Sequence, residues 1–328
     1  MMKIAVICEY NPFHAGHAYQ MRELRRLYGE ETALLSVLGG VFSQRGEPYF
    51  LTPYARARAA VECGGDLVVE LPFPYSCARA AVFARAGVEI AARLGADALA
   101  FGSECGDIET LQKIKEALDS PAVAKEVARL AADKTLGKSK LYAAALKSVC
   151  GLTLDDTTPN DILAVEYLRA IDRCDQKPIP IAIRRVGDHK KEAGGYPAAS
   201  HLRALCKTDG LDALCAALPP ASADICAREA AAGRISPDFD RLSSAILLAL
   251  QNAAAFPDDG GLTARLAKAA VGKKSLSANE CEMLRVRSEN QRRVAVRMVD
   301  RIRLLHRRDG MSFQEIIERD TGREWREP

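Results

Sequence analysis

The chain has 328 residues, 48% of them hydrophobic, and a formal net charge of +3. This is enough apolar material for one large domain or two ordinary ones. The net charge is too small for a generic polycation, so any nucleic-acid surface must come from local clustering. Ten cysteines with no CxxC pair argue against a disulfide framework and a metal cluster, and most of them read as small buried hydrophobes in a reducing cytosol.

The predicted elements alternate in type. Ile4–Cys8 reads as a strand and His17–Tyr28 as a helix, followed by an apolar run Leu34–Leu38 that ends in Gly39-Gly40. Thr52 looks like an N-cap with Pro53 at the first position of a helix over Tyr54–Cys63, which carries Arg56 and Arg58. Leu67–Leu71 is a third strand, stopped by Pro72. Val82–Leu94 is helical, Ala98–Phe101 is a fourth strand ending in Gly102-Ser103-Glu104, and Asp107–Leu118 is helical. A helix over Asp161–Ile171, a strand Ile179–Ile183 and a helix from Ala199 to Cys206 continue the pattern.

Short, fully apolar strands between helices of ten or more residues predict an α/β fold, a Rossmann-like doubly wound parallel sheet. Beyond about Leu211 the strands disappear, with breaks at Pro219-Pro220, Pro237 and Asp258–Gly261. The expected organisation is a catalytic domain over 1–206 and a helical domain over 207–328. No run approaches the ~18 apolar residues of a membrane span, and the start lacks the pattern of a signal peptide, so the expected location is cytoplasmic.

Ligands of doubly wound sheets bind at the carboxyl ends of the strands. Three polar or glycine-rich turns fall there: Asn11–His17, Gly39-Gly40 and Gly102-Ser103-Glu104. The first holds two of the chain's five histidines, His14 and His17, on either side of Gly16. A helix N-terminus has unpaired N–H groups and a partial positive charge, which suits phosphate. The loop is neither a Walker A loop nor GxGxxG. Two imidazoles beside it offer N–H donors to a transferring phosphoryl group, and Gly16 lets the backbone approach the nucleotide. Histidines at i and i+3 with no nearby Cys or further His leave a zinc ion short of ligands.

Asn11-Pro12-Phe13-His14-x-Gly16-His17 resembles the HxGH signature of the nucleotidyltransferase superfamily. With Glu9-Tyr10 before it, followed in order by Ser43-Gln44-Arg45-Gly46-Glu47-Pro48, Asp66–Pro72, Phe101-Gly102-Ser103-Glu104, Pro159-Asn160-Asp161-Ile162-Leu163, Ile183-Arg184-Arg185-Val186 and Ala199-Ser200-x-x-Arg203, it is similar to the tRNA(Met) cytidine acetate ligase family.

The resemblance covers roughly residues 2–206. It implies an ATP-dependent ligase in which acetate attacks the α-phosphate of ATP, giving acetyl-adenylate and pyrophosphate. The acetyl group then passes to the exocyclic amine of the wobble cytidine of elongator tRNA(Met). Mg2+ is expected to accompany ATP. The ATP loop carried over by resemblance is Ile7, Cys8, Glu9, Tyr10, Asn11, Pro12, Phe13, His14, Ala15, Gly16, His17, Ala18, Tyr19 and Gln20, with His14 and His17 catalytic. Gly102, Asn160, Arg184 and Arg185 complete the pocket, and Ser200 and Arg203 resemble a second phosphate motif. An alternative reading is a nucleotidyltransferase acting on a small phosphorylated metabolite. A third is an RNA-binding protein with a decayed nucleotide site.

Gln44, Arg45 and Glu47 form a polar loop, read as a lid or substrate contact or as a solvated turn. Glu70 and Glu104 read equally as buried helpers or strand-end acids. After Arg185 the chain has Gly187-Asp188-His189-Lys190-Lys191, where the resemblance leads one to expect Tyr-His-Asp. Further on, arginines crowd between Arg285 and Arg308. Val294, Met298, Ile302 and Leu305 make an apolar helical stripe beside Arg293, Arg297 and Arg301, a candidate RNA-binding face. Ser312–Glu315 looks like a capping box opening a final helix, with the lone Trp325 close to the end of the sequence.

Overall fold

The computed structural model describes residues 1–44, 46–131, 138–154, 158–185, 196–236 and 304–307. Six strands form one sheet: β1 (Lys3–Cys8), β2 (Ala33–Gly39), β3 (Leu67–Leu71), β4 (Ala98–Ser103), β5 (Ile179–Arg184) and β6 (Leu304–Arg307), in the order β5-β4-β1-β2-β3-β6. The first five are mutually parallel. Chain order reverses at β1, whose neighbours are β2 and β4, so the crevice between the carboxyl ends of β1 and β4 is the place for a ligand.

Helices cover both faces. α3 (Ala80–Arg93), α4 (Ile108–Leu118) and α7 (Pro159–Asp172) pack on one side, with Phe83, Ile90, Leu111 and Leu168 in its core. α1 (Ala15–Tyr28), α2 (Pro53–Glu62), α8 (Ala199–Asp209), α9 (Leu211–Ala216) and α10 (Pro220–Ala231) take the other, where Leu24, Ala57, Leu202, Leu214 and Ile225 meet Ile4, Val6 and Val68. Burial on both faces explains why Leu67, Val68 and Val69 are apolar in succession rather than alternating. Each such side chain contributes roughly 1.5–3 kcal/mol when fully buried.

The expected strands and helices lie where the sequence places them, within two residues at each bound, except that α8 runs three residues further, to Asp209. Two helices carried no expectation, α5 (Pro121–Leu130) and α6 (Lys138–Cys150), both on the α4 side. In α6 the amphipathic pattern is diluted by alanine and lysine, which weakens the sequence signal, whereas α5 is amphipathic and opens on the N-cap Ser120 with Pro121 after it, a signal the sequence did carry.

One expectation is overturned. Strands do not end before Leu211, because Leu304–Arg307 forms β6, antiparallel to β3. Leu305 therefore belongs to a strand and not to the apolar stripe of a helix. The edge of β3 presents unpaired N–H and C=O groups, which can impose extended geometry on a short segment whatever its helical periodicity. Arg293, Arg297 and Arg301 lie outside the described residues, as do Arg45, His189, Ser312 and Trp325. None of the nine described cysteines forms a disulfide; Cys8, Cys77 and Cys226 are buried, five are partly buried and Cys150 is exposed.

Candidate nucleotide site at the switch point

β1 ends at Cys8 and the chain turns through Glu9–Phe13 into α1. Tyr10 takes a left-handed backbone conformation (φ 47°), unusual for a residue with a side chain. Its buried ring holds it there. The hydroxyl lies 3.1 Å from Ser36 Oγ, and the ring meets Phe13 and His17 edge-on at 4.9 and 4.8 Å. Asn11 is buried. Its Oδ1 accepts from the Phe50 N–H at 2.8 Å and its carbonyl accepts from Arg203 at 2.9 Å.

His14 is the N-cap of α1. Its Nδ1 accepts from the Gly16 N–H at 3.0 Å, while the His14 N–H donates to His17 Nδ1 at 3.2 Å. This is a reciprocal capping box built from two imidazoles. It fixes both tautomers: each Nδ1 is an acceptor, so the remaining proton of each neutral ring sits on Nε2. The rings stack at 3.7 Å.

Burial lowers the His14 pKa to about 4, helped by the Arg185 guanidinium. His17 opens partly to the cavity, yet its ring is packed by Tyr10, Phe13 and His14. Desolvation therefore comes first and His14 and Arg185 second in holding it well below the ordinary value. At neutral pH the pair presents two neutral Nε2–H donors. No acidic residue occupies the first turn of α1, so the positive end of the helix is left for an anion.

Gly16 is required by contact. A Cβ there would lie 2.9 Å from His14 Cε1 and 3.1 Å from Nδ1.

A second clamp joins β4 to α7. The Glu104 carboxylate accepts from the Asn160 side-chain amide, from the Asn160 N–H at 3.3 Å and from the Asp161 N–H at 2.9 Å. Asp161, itself buried, accepts in return from the Ser103 hydroxyl, the Glu104 N–H at 2.9 Å and the Cys105 N–H at 3.2 Å. Glu104 is thus a structural acid that ties the Gly102 turn to the start of α7.

Sequence reasoning gave no role to Arg56. It is fully buried, and its guanidinium donates to the carbonyls of Glu9 (2.6 Å), Gly39 (2.9 Å), Gly40 and Leu51 (3.2 Å) while stacking on Tyr49 at 3.7 Å. It binds the ends of β1 and β2 together. Glu9 reinforces this by accepting from the Gln44 N–H (2.7 Å) and the Tyr49 hydroxyl (3.0 Å). Tyr49 and Ser222, whose hydroxyl donates to the Phe13 carbonyl at 2.8 Å, were also missed. The stretch Ala55–Ala60 carries two arginines, Arg56 and the exposed Arg58 paired with Glu62, and nothing local in the sequence tells the buried one from the solvated one.

A cavity of about 970 Å3 opens here. It brings together Ile7, Cys8, Glu9, Tyr10, Asn11, His14, Gly16, His17, Tyr19, Gln20, Gly102, Asn160, Arg184, Arg185, Ser200 and Arg203 from the expected set. Pro12, Phe13, Ala15 and Ala18 do not line it; Phe13 and Ala18 are core residues. Gln44 and Glu47 join the wall, and Glu47 approaches Arg203 at 4.0 Å. Glu70 instead lies against Gly40. The Arg184 guanidinium is bound to the Cys105 carbonyl at 2.6 Å. Burial pushes the Cys8 thiol up to about 12, so it is no nucleophile.

Residues 1–287 match the HIGH Nucleotidyl Transferase family. The chain is 37% identical over 297 residues to a tRNA(Met) cytidine acetate ligase of Syntrophotalea carbinolica, covering 85% of this chain and 68% of the relative. The chain belongs to the tRNA(Met) cytidine acetate ligase family. A second member, from Acetivibrio thermocellus, is 34% identical over 71% of this chain and 59% of its own length. The structure of Thermotoga maritima TmcAL bound with alpha-thio ATP superposes with a TM-score of 0.75 at 26% identity, covering 88% of this chain and 74% of that one. The chain thus spans between about half and two thirds of the lengths of the curated ligases it matches.

Proposed function

We propose that this chain is an adenylate-forming ligase acting on ATP, acetate and tRNA(Met). The observation that carries the reading is the imidazole pair, fixed as two Nε2–H donors at the switch point of the sheet and facing a cavity of nucleotide size. Its kinship to ligases so named, and to TmcAL with an ATP analogue, supplies the substrate class.

An acetate oxygen attacks the α-phosphorus, the bond to the bridging oxygen breaks, and pyrophosphate leaves. The negative charge that shifts onto phosphate oxygens meets His14, His17, the N-terminus of α1 and Arg185. None of these groups needs to gain or lose a proton. Each well-placed donor of this kind contributes roughly 3 kcal/mol. The cytidine amine then attacks the acetyl carbonyl carbon, AMP departs with the bonding electrons, and the amine's proton passes to solvent.

Among the described residues no group of three or more His, Cys, Asp or Glu gathers for a metal. Of the acids that line the cavity, Glu9 is engaged by Gln44 and Tyr49 and Glu47 approaches Arg203, while Glu104, outside the lining, is engaged by α7. A Mg2+ ion accompanying ATP fits this site as a ligand of the triphosphate and water, where it would neutralise phosphate charge. No described helix is long and apolar enough to cross a membrane.

The test is acetate-dependent ATP–pyrophosphate exchange without tRNA, followed by acetylation of cytidine in elongator tRNA(Met). Exchange with a phosphorylated metabolite but with no carboxylate would replace this reading by the nucleotidyltransferase one. Absence of ATP binding in a titration would leave only an RNA-binding role.

A further inference from the structure

The cavity continues past the imidazole pair onto the other face of the sheet. Asn160, Leu163 and Tyr167 all line it, and their spacing of i, i+3 and i+7 sets them on one stripe of α7. Ile7 at the end of β1, Phe83 on α3 and Phe101 on β4 line it too. These three belong with Tyr167 to a single apolar cluster, and Leu163 packs against it. His14 and His17 open α1, whose buried residues join the cluster on the opposite face. The cavity thus has an apolar arm, reached across the ends of β1 and β4.

Tyr167 is the polar exception in that arm. It is only 3% exposed, and its ring lies 5.5 Å from that of Phe101. Among the described residues no group hydrogen-bonds its hydroxyl. The ionisable groups that bear on the phenol are Cys8 and Glu9, at the end of β1. A side chain on a helix leans towards the N-terminus, so the Tyr167 hydroxyl is carried over the Leu163 turn, towards Asn160 and the mouth. Burial holds its pKa well above the ordinary value, so it keeps its proton and can donate it to a hydrogen bond. A buried hydroxyl is costly to leave unpaired, and one that lines a cavity takes its partner from what the cavity binds.

The walls of the arm have little room to retreat. A Cβ at Gly87 would lie 2.6 Å from Ile7 Cδ1, so α3 already sits against β1. Phe83 and Phe101 are buried. Close apolar walls with one hydroxyl donor suit a short monocarboxylate, its tail in the arm and its carboxylate towards the phosphate site.

Resting on the ligase reading, we infer that Tyr167 binds the carboxylate substrate, its hydroxyl donating to the carboxylate oxygen that does not attack, while Phe83 and Leu163 confine the acyl tail and limit its length. The other oxygen attacks phosphorus. The oxygen bonded to Tyr167 becomes the carbonyl oxygen of the acyl-adenylate. It gains negative charge when the cytidine amine attacks the carbonyl carbon, and the phenol stabilises that charge without giving up its proton.

Tyr167→Phe removes one oxygen and keeps the ring. It should leave the affinity for α,β-methylene ATP within about twofold and raise KM for acetate in ATP–pyrophosphate exchange roughly tenfold or more. Its Tm should hold or rise, because an unpaired buried hydroxyl is lost. Leu163→Ala, at a half-buried position, should shift kcat/KM from acetate towards butyrate by roughly tenfold. Saturation-transfer NMR of acetate on wild type and Tyr167→Phe, with α,β-methylene ATP present, stands independently of catalysis and should show a weaker signal in the variant. If the wild type exchanges with no short carboxylate, the ligase reading falls, and this arm still decides whether the cavity takes one. No acetate signal in the wild type, or an acetate KM or signal that Tyr167→Phe leaves unchanged, would overturn the inference. So would a rise in KM for ATP in proportion to that for acetate, which would assign Tyr167 to the nucleotide. A lower Tm would overturn it too, by giving the hydroxyl a structural role.

Discussion

Gly16 is the position where a single added methyl group should separate catalysis from folding. In Gly16→Ala the new Cβ would lie 2.9 Å from His14 Cε1 and 3.1 Å from Nδ1, inside the distance that Cβ atoms tolerate. The His14 ring must move, and it has little room. It stacks at 3.7 Å on His17, whose own ring is held by Tyr10 and Phe13. A tilt that relieves the clash lengthens the Gly16 N–H to Nδ1 bond and re-aims the Nε2–H. Losing a cap bond costs about 1 kcal/mol, while alanine gains about 1 kcal/mol over glycine as a helix former. Stability measured by urea unfolding should therefore change by less than ~1 kcal/mol. Losing one aligned donor costs about 3 kcal/mol in the transition state, or roughly a hundredfold in kcat of pyrophosphate exchange. A folded Gly16→Ala enzyme with kcat within about threefold of wild type would refute the view that the imidazole pair works through a fixed geometry.

The remaining predictions concern charge and burial. Because folding lowers the His14 pKa from about 6.5 to about 4, the unfolded chain binds the proton first. The associated stability is complete above pH 6.5 and is lost as pH falls towards 4, roughly 3 kcal/mol in all; urea midpoints of wild type and His14→Asn should converge over that window. For the same reason kcat/KM for ATP should show no acid limb near 6.5; an inflection there would mean that a histidine of the free enzyme is solvated. Arg56→Lys should cost roughly 3–5 kcal/mol by thermal or urea unfolding, since an ammonium cannot meet four diverging carbonyls. Asp161→Ala leaves a buried hydroxyl and two N–H groups without an acceptor and should cost about 2–4 kcal/mol, with a raised KM for ATP as the Gly102 turn loosens.

Strands β1 to β4 and the helices between them were legible because their residues are chosen by one demand, burial on both faces, which leaves continuous apolar runs and cap residues such as Thr52 and Asp107. The HxGH turn was legible because its two histidines and glycine fall at the junction of a strand and a helix, where both elements show in the sequence. What was not legible depends on contacts between residues far apart in sequence. Arg56 reaches back 47 positions to the Glu9 carbonyl, and the Glu104–Asp161 clamp spans 57. An arginine on a helix reads as solvated until the carbonyls of two strand ends are seen converging on it. β6 is the opposite case, a segment with helical periodicity drawn into extended form by the open edge of β3.

On the proposed mechanism, the local contacts of the HxGH turn explain why neutral histidines serve here rather than lysines. A protonated imidazole pair stacked at 3.7 Å would repel itself, and its burial would oppose the charge. As neutral donors the two rings tolerate that spacing, and each spends its Nδ1 on a backbone N–H of the capping box, leaving one proton to aim outward. The fixed positive charge is supplied separately, by Arg185 at the exposed mouth and by the end of α1. A donor pair that never changes protonation during the reaction can be held rigidly, because nothing in the cycle alters its hydrogen-bond partners. Replacing His17 by lysine should test this division of labour. The ammonium would have to be buried beside His14 and Arg185, cannot accept the His14 N–H and so breaks the cap. The variant is expected to lose both exchange activity and several degrees of thermal stability, whereas a simple need for positive charge at the phosphates predicts that activity survives.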